Sequence, residues 1–223
     1  MKVVCTDDGS NTIYLEDMDE TYHSRYGALQ ESNHVFIKNG FRYVLGDEHG
    51  KTIRVFEMGL GTGLNAVLTA MESRKLRFPI EYTSIEPNPV PGHIIDLLDY
   101  GRILNHPSGE TILHEIHHAD WGEFVRLHNY FKFRKIKTTL QDMGPEITGF
   151  DLIYYDAFAP GKQPEMWHID VLEKIYEIMD DKAVLVTYCA KGQVKRDLRD
   201  VGMSVQTIQG PPGKKEMIRG IKL

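Results

Sequence analysis

The sequence has few cysteines and no long apolar run. Only Cys5 and Cys189 occur among the 223 residues. Two cysteines do not make a disulfide framework, so we expect reduced thiols in a cytoplasmic protein. No stretch approaches the roughly 18 apolar residues that a membrane-spanning helix needs, and residues 1–10 lack the apolar segment of a signal peptide. The sequence therefore predicts a cytoplasmic protein with no membrane partner.

Internal repeats, low-complexity tracts and clear linkers are also missing from the sequence. A length of 223 residues suits one α/β domain with a short appendage. Hydrophobic residues make up 41% and charged residues 26%, which permits a core of ordinary size. We expect residues 1–50 to form a small β-rich extension packed on the core, and residues 51–223 to form the main domain.

Charge is distributed unevenly along the chain. The net charge of −6 argues weakly against a nucleic-acid partner. Residues 191–223, however, hold eight Lys or Arg and three Asp or Glu, a net of +5, which leaves −11 on residues 1–190. Such a basic segment can bind phosphates even on an acidic protein, and a solvated charged surface is the alternative interpretation.

Strand-like apolar runs alternate with helical segments through most of the chain. This alternation predicts a mostly parallel sheet covered on both faces. At the end of the chain, strand candidates at 204–209 and 216–223 flank the tight turn 210–213, which requires antiparallel pairing. The segment 124–127 is predicted to be a short helix. The expected fold is therefore α/β and Rossmann-like, with an antiparallel C-terminal hairpin.

A glycine-rich stretch joins one of these strands to a helix. A strand, a glycine turn and a helix N-terminus together form a nucleotide-binding corner. Residues 61–66 also match the G-x-G-x-x-G/A dinucleotide pattern, so a nicotinamide cofactor stays open. The acid before the glycines favours a ligand with an ammonium group over a pyrophosphate. The candidate cofactor residues here are Glu57, Gly59, Gly61, Thr62, Gly63 and Asn65.

Three further acidic residues follow strand candidates: Glu86, Asp142 and Asp156. Ligands of open α/β sheets bind at the carboxyl ends of the strands. Glu86 is well placed to accept hydrogen bonds from ribose hydroxyls, and Asp142 to reach an adenine amino group. A single such acid is often only a helix cap, but four in register with a glycine turn indicate a binding site.

Two motifs resemble one known family. Residues 59–65 read Gly-x-Gly-Thr-Gly-Leu-Asn, and residues 156–167 read Asp-x-Phe-Ala-Pro-x-Lys-x-Pro-x-Met-Trp. With these motifs the chain resembles the methyltransferase domain of the MnmC-like tRNA 5-methylaminomethyl-2-thiouridine biosynthesis proteins, including its stand-alone form. Further similarity at 22–36, 191–192 and 210–217 extends the resemblance over nearly the whole chain.

The resemblance implies a class I S-adenosylmethionine-dependent methyltransferase. Its reaction would be N-methylation of 5-aminomethyl(-2-thio)uridine at the wobble position of tRNA, with S-adenosylmethionine as cofactor and no metal. Bifunctional members continue into a flavin-dependent oxidase domain. Because this chain ends at Leu223, we expect that second activity to be absent. The implied partners are tRNA and, beyond it, a separate flavin-dependent oxidase or upstream wobble-modification enzymes.

The resemblance also gives the candidate catalytic residues: Asp156, Phe158 and Pro160. An alkylammonium has no lone pair for attack, so Asp156 is expected to accept its proton or to orient the neutral amine. Backbone carbonyls of residues 157–160 would take the remaining N–H bonds. Phe158 would cover the cationic centres by cation–π attraction, and Pro160 would stiffen the loop. The candidate contacts to tRNA phosphates are Lys162, Lys191, Lys214, Lys215 and Arg219.

A zinc-protease pattern is also present. Residues 114–118 match H-E-x-x-H, but a zinc site of that kind needs a third ligand and a sheltered cleft. We expect a solvated histidine-rich helix and no metal. Two other functions stay open: a small-molecule amine N-methyltransferase of the same fold, and a nicotinamide-dependent oxidoreductase or a binding module without catalysis.

Overall fold

The computed structural model describes residues 1–46, 51–104 and 106–223. The predicted boundary at residue 50 lies outside the described residues. The strands are β1 (Lys2–Cys5), β2 (Asn11–Leu15), β3 (Glu20–Thr21), β4 (Ile53–Met58), β5 (Ile80–Ile85), β6 (Val125–His128), β7 (Phe131–Ile136), β8 (Phe150–Tyr155), β9 (Met179–Thr187), β10 (Met203–Gln209) and β11 (Glu216–Lys222).

Helices cover this framework. They are α1 (Ala28–Ser32), α2 (Arg42–Leu45), α3 (Leu64–Leu76), α4 (Gly92–Ile95), α5 (Tyr100–Ile103), α6 (Pro107–His118), α7 (Ile169–Ile178) and α8 (Gly192–Asp200). A π-helix (Asn33–Phe41) joins α1 to α2, and a 3-10 turn (Pro164–Trp167) precedes α7. In the described part of the chain, every helix is too short or too polar to span a membrane.

The main sheet has eight strands in the order β10-β11-β9-β8-β4-β5-β7-β6. The five strands from β9 to β7 are parallel, and β6, β11 and β10 pair antiparallel at the two edges. This confirms the predicted mostly parallel sheet with an antiparallel C-terminal hairpin. The chain runs from β4 outward to β5 and β7, and then returns to β8 on the other side of β4. The order therefore reverses between β4 and β8, where ligands of such sheets bind.

Both faces of the sheet are buried. On β8, Leu152 and Tyr154 belong to the core that includes α3, α6 and the π-helix. Their neighbours Ile153 and Tyr155 belong to a second core with α7 and α8. Because successive strand residues point to opposite faces, two-sided burial explains why residues 152–155 are apolar at every position.

Two local predictions need correction. The predicted helix at 124–127 is wrong: residues 125–127 belong to the edge strand β6, in which Val125 pairs with Phe133 and Arg126 with Lys132. The short apolar run has the period of a strand, with Arg126 exposed between half-buried neighbours. The N-terminal extension does contain a three-stranded antiparallel sheet, β1-β2-β3. Residues 28–45, however, are helical, which the prediction of a β-rich extension missed.

The N-terminal sheet is attached to α1 by side chains that act as remote caps. Ser10 Oγ accepts hydrogen bonds from the backbone N–H groups of Ala28 (3.1 Å) and Leu29 (3.3 Å). Asp8 Oδ2 accepts from the N–H of Gln30 at 2.9 Å. The first N–H groups of a helix have no partner within the helix, so the β1–β2 turn satisfies them and fixes the sheet against the helical segment.

We expect Ser10→Ala to lower the free energy of unfolding by about 1–2 kcal/mol, since two buried N–H groups lose their acceptor. Urea unfolding followed by circular dichroism measures this. Ser204→Ala, at an exposed position of β10, is the control and should change stability by less than about 0.5 kcal/mol. Equal effects of the two substitutions would show that Ser10 does not act as a cap.

Candidate active site

A cavity of about 890 Å³ opens at the carboxyl ends of β4, β5 and β8. The glycine turn, the end of β5 and the loop after β8 form one wall. The opposite wall comes from the N-terminal residues 18–26 and Glu31. The sequence predicted the first wall from its motifs but gave the N-terminal segment no role in the site. Both parts of the chain therefore build a single pocket.

The glycine turn is tight because side chains from other segments press against it. Gly59, Gly61 and Gly63 have φ angles of +84°, +52° and +80°, which L-residues with a Cβ rarely adopt. A Cβ on Gly61 would lie 3.0 Å from the Tyr22 ring, and one on Gly63 would lie 3.0 Å from His117 Nε2. Conformation and space both require glycine at these two positions.

Glu86, at the end of β5, lines the cavity and supports the turn. Its carboxylate accepts hydrogen bonds from Gly61 N at 3.0 Å and from Asn88 N at 2.8 Å. Burial raises the pKa of Glu86, and the backbone N–H groups that bond to its carboxylate oppose that rise. The structure thus brings Glu86 beside the glycine turn, as the strand-end pattern predicted.

Glu57 lies below the glycine turn and does not line the cavity. Its side chain is 1% exposed, and neither carboxylate oxygen has a hydrogen-bond partner among the described residues. Burial is the main cause that raises the pKa of Glu57 to about 8. A neutral acid under the turn fits this environment, and the contact of Glu57 with a ligand ammonium stays a prediction.

Asp142 lies outside the cavity lining. β7 ends at Ile136, six residues before Asp142. Asp142 therefore falls in an exposed turn, where its Oδ2 accepts a hydrogen bond from Thr139 Oγ1 at 2.8 Å. Thr139 and Leu140 of the same loop line the cavity instead. This placement does not support the predicted contact of Asp142 with adenine.

Asp156, directly after β8, is joined to the glycine turn. Asn65 Nδ2 donates a hydrogen bond to Asp156 Oδ2 at 2.8 Å. Burial is the main cause that raises the pKa of Asp156 to about 7, and the negative charge of Glu31 adds to it. The bond from Asn65 and the charge of Lys214 oppose this rise. The result is a carboxyl group that can take or release a proton near neutral pH.

The loop after Asp156 is held by aromatic side chains. Phe158 lines the cavity and meets the Tyr22 ring edge to face, with 5.2 Å between the ring centroids. Trp167 Nε1 donates to Phe158 O at 2.7 Å, and Tyr188 OH donates to Ala157 O at 2.8 Å. These carbonyls already have donors, so their predicted role as acceptors for the amine is weakened. Pro160 lies outside the cavity lining.

Three of the five predicted phosphate ligands have partners within the protein. Lys162 Nζ donates to the carbonyls of Met18 (2.8 Å) and Asp19 (3.0 Å). Arg219 stacks on Tyr43, with its guanidinium 3.4 Å from the ring centroid.

Lys214 forms an ion pair with Glu31 inside the cavity wall. These placements do not support a phosphate role for Lys162, Lys214 or Arg219 in this conformation. Lys191 and Lys215 are exposed, and the described part of the chain offers no side-chain partner to either, so both stay candidate phosphate contacts.

The histidine-rich segment is the C-terminal half of α6. The rings of His114 and His118 stack with centroids 5.7 Å apart, whereas His117 Nε2 lies 3.0 Å from Thr62 O of the glycine turn. Burial lowers the pKa of His117 to about 4, so the ring is neutral at pH 7. Within the described ranges, no group of three or more His, Cys, Asp or Glu side chains is arranged to hold a metal ion.

Comparison with known proteins identifies the class of this site. A family model described as S-adenosyl-L-methionine-dependent methyltransferase matches residues 112–223, half of the chain. The tRNA 5-methylaminomethyl-2-thiouridine biosynthesis bifunctional protein MnmC of Burkholderia multivorans is 29% identical over 96% of this chain and 34% of its own length. The protein of the same name from Leptospira interrogans is 30% identical over 94% of this chain and 33% of its own length.

A solved structure agrees with these matches at the level of the fold. MNMC2 from Aquifex aeolicus superposes with a TM-score of 0.77 at 23% identity, over 98% of this chain and 69% of its own. The chain spans about a third of the length of the curated relatives given above. It belongs to the S-adenosyl-L-methionine-dependent methyltransferase family. S-Adenosylmethionine is therefore its cofactor, and the nicotinamide alternative is set aside.

The cavity residues fit this cofactor. A Cβ on Gly59 would meet no atom within 4 Å, so space lies open beside this part of the turn. The cavity of about 890 Å³ falls in the size range of small-molecule sites. Glu86 would hold the ribose, and Pro87, Asn88 and Leu140 would surround the adenine. Asn65 and Thr62 lie along the wall that leads from the turn to Asp156.

The protonated state of Glu57 should make stability depend on pH. Between about pH 4.5 and 8 the folded protein retains a proton on Glu57 that the unfolded chain releases. The free energy of unfolding therefore falls as pH rises through this window. Glu57→Gln, which resembles the neutral acid in shape, should reduce that fall, as measured by thermal unfolding from pH 5 to pH 9. Glu173→Gln, at an exposed position of α7, is the control and should leave the pH dependence of stability unchanged. If Glu57→Gln also left it unchanged, Glu57 would be ionised in the folded protein.

Proposed function

We propose that the protein N-methylates 5-aminomethyl(-2-thio)uridine at the wobble position of tRNA, giving the 5-methylaminomethyl derivative. The observation that carries the proposal is Asp156, a carboxyl group with a pKa of about 7 that lies on the cavity wall and is bonded to Asn65 of the cofactor turn. The names of the MnmC relatives supply the substrate. Because those relatives are about three times longer than this chain, only their methyltransferase part bears on it.

The chemistry requires a base. An aminomethyl group is mostly an ammonium near pH 7 and must lose a proton before its nitrogen can attack. Burial raises the pKa of Asp156 to about 7, so its carboxylate form can accept that proton near neutral pH. Asn65 holds one carboxylate oxygen of Asp156, so the other oxygen is left for the amine. The bound cofactor supplies an electrophilic methyl group on a sulfonium.

The surrounding residues position the amine and exclude water. Phe158 and Tyr22 close the cavity beside Asp156 with two aromatic rings. An aromatic face within about 6 Å stabilises a desolvated cation by roughly 1–2 kcal/mol. Holding the amine and the methyl donor in line provides much of the rate enhancement in reactions of this kind.

Contacts to the RNA backbone would come from the exposed basic surface next to the cavity. Lys215 follows Lys214 in the β10–β11 turn, and Lys191 lies at the start of α8. Arg196 and Arg199, which are exposed on α8, extend this surface. A tRNA substrate agrees with the predicted cytoplasmic location, and any flavin-dependent oxidase step would belong to a separate protein or domain.

A second substrate class is favoured by the acidic cavity. Glu20, Glu31, Glu86 and Asp156 all line it, which suits a small cationic amine. Nucleoside mass spectrometry distinguishes the two: tRNA that carries 5-aminomethyluridine should gain one methyl group, and small amines such as spermidine should gain none. The reverse result would favour the small-molecule enzyme.

Asp156→Asn should lower turnover by about 100-fold or more at pH 7, because the amide cannot accept the proton. Binding of S-adenosylhomocysteine, measured by calorimetry, should stay within about twofold. In the wild type, kcat/KM should rise with pH through about 7 as Asp156 ionises. This rise should be absent from the pH profile of Asp156→Asn. Asp170→Asn, at an exposed position of α7 outside the cavity lining, is the control for both measurements. Full turnover by Asp156→Asn would exclude Asp156 as the base.

Lys191→Ala and Lys215→Ala should each weaken tRNA binding. A plot of the logarithm of the association constant for tRNA against the logarithm of the salt concentration should become less steep, by about one unit of slope for each lost phosphate contact. Filter binding between 50 and 200 mM salt measures this slope. Lys75→Ala, at the end of α3 away from the cavity, should leave it unchanged. If all three variants bind as the wild type does, the RNA follows another surface.

A further inference from the structure

Lys214 is a basic residue that the proposed reaction does not use. Its side chain is 32% exposed and turns back into the cavity wall. Nζ lies 2.5 Å from Glu31 Oε1 and 3.7 Å from the centroid of the Tyr188 ring. An ammonium held by a carboxylate and an aromatic face is the arrangement by which proteins recognise organic cations.

Both recognition groups are built into the fold. The Glu31 side chain is 9% exposed, and its Oε2 accepts a hydrogen bond from Ser24 N at 2.8 Å. The hydroxyl of Tyr188 is anchored on Ala157 O at 2.8 Å, which fixes its ring beside the loop that follows Asp156. A buried carboxylate needs a cation or donors, and Lys214 supplies the cation to Glu31 here.

The pair is close to the proposed base. Glu31, Tyr188, Lys214 and Asp156 line the same cavity, and the charges of Glu31 and Lys214 both act on Asp156. The Lys214 ammonium is a primary alkylamine, like the aminomethyl group of the proposed substrate. A substrate amine that reaches Asp156 therefore enters the surroundings that Lys214 Nζ occupies.

We propose that Glu31 and Tyr188 form the binding site for the substrate ammonium, that Lys214 fills this site in the free enzyme, and that the substrate displaces it. This inference rests on the proposed function, since it needs an aminomethyl nucleotide as substrate. The substrate ammonium carries the same charge as the Lys214 ammonium that it replaces. Glu31 is therefore paired with a cation both before and after the exchange. The released Lys214 lies next to Lys215, where RNA phosphates would take up its charge.

Two stem-loop RNAs that differ only at the wobble uridine test this proposal. One carries 5-aminomethyluridine and the other unmodified uridine, and the measured quantity is the ratio of their dissociation constants in the presence of S-adenosylhomocysteine. Glu31→Gln should lower the preference for the aminomethyl RNA by about tenfold, because the charge-assisted bond to the amine is lost. Lys214→Met should raise the preference, because the competing ammonium is gone while Glu31 stays.

The opposite directions of these two effects are the decisive result. A salt bridge that only supports the fold would weaken both RNAs alike in both variants, and unchanged preference ratios would overturn the proposal. Lys215→Met is the matched control, since it removes a neighbouring charge outside the cavity and should leave the ratio unaltered. S-Adenosylhomocysteine binding reports whether each variant is folded. If Glu31→Gln does not fold, the Lys214→Met variant decides alone. A preference ratio of Lys214→Met at or below that of the wild type then overturns the proposal.

A failure of the proposed function gives a different pattern. In that case the wild type neither prefers nor methylates the aminomethyl RNA. If the wild type methylates it and the ratio is the same in Glu31→Gln, only the role of Glu31 and Lys214 is excluded.

Discussion

The hydrogen bond from Asn65 to Asp156 is the interaction on which the site depends. It joins the first turn of α3, where the cofactor is expected, to the loop that follows β8, where the amine would react. The two residues are 91 positions apart in the chain. They meet because β4 and β8 pair in parallel with Met58 opposite Tyr155, which brings the two strand ends to the same edge of the sheet. The reversal of strand order between β4 and β8 therefore places cofactor and substrate side by side.

Several carboxyl groups lie close together around the glycine turn and the end of β8, and burying them there lowers the stability of the fold. Burial raises the pKa values of Glu57, Glu86 and Asp156, so each group would be easier to ionise in water. The two apolar cores on either face of the sheet contribute free energy of folding that offsets the cost of burying these carboxyl groups. In return, Asp156 acquires a pKa near the working pH, which an exposed aspartate does not have. The burial that costs stability at the site is thus also what would suit Asp156 to the proposed role of a base.

The sequence predicted the parts of the site that follow directly from strand ends. Glycines at alternate positions after an apolar run indicate a turn at a parallel strand, and Glu86 and Asp156 follow apolar runs that became β5 and β8. The expectation for Asp142 is not supported because β7 ends at Ile136, six residues before Asp142, and does not carry it to the edge of the cavity. The roles assigned to Lys162, Lys214 and Arg219 rested on charge alone, and charge does not reveal whether a lysine or arginine already has a partner. The Glu31–Lys214 pair spans 183 residues, and no local pattern marks such a contact.

The N-terminal segment forms part of the cavity in the structure. Divided by sequence at residue 50, it is an appendage to a nucleotide-binding domain. In the structure, Tyr22 presses on Gly61 and meets Phe158, and Glu31 pairs with Lys214 in the cavity wall. The main sheet with its helices supplies the glycine turn and Asp156, but Met18, residues 20–26 and Glu31 of the N-terminal segment line the cavity as well. A Rossmann-like core can bind the methyl donor through features that many such cores share, so we expect the part that is added to it to contribute to selection of the acceptor, together with Asp156 and Tyr188 of the core. In this protein that part is the N-terminal sheet and α1, and the Ser10 and Asp8 caps that attach them also position Glu31.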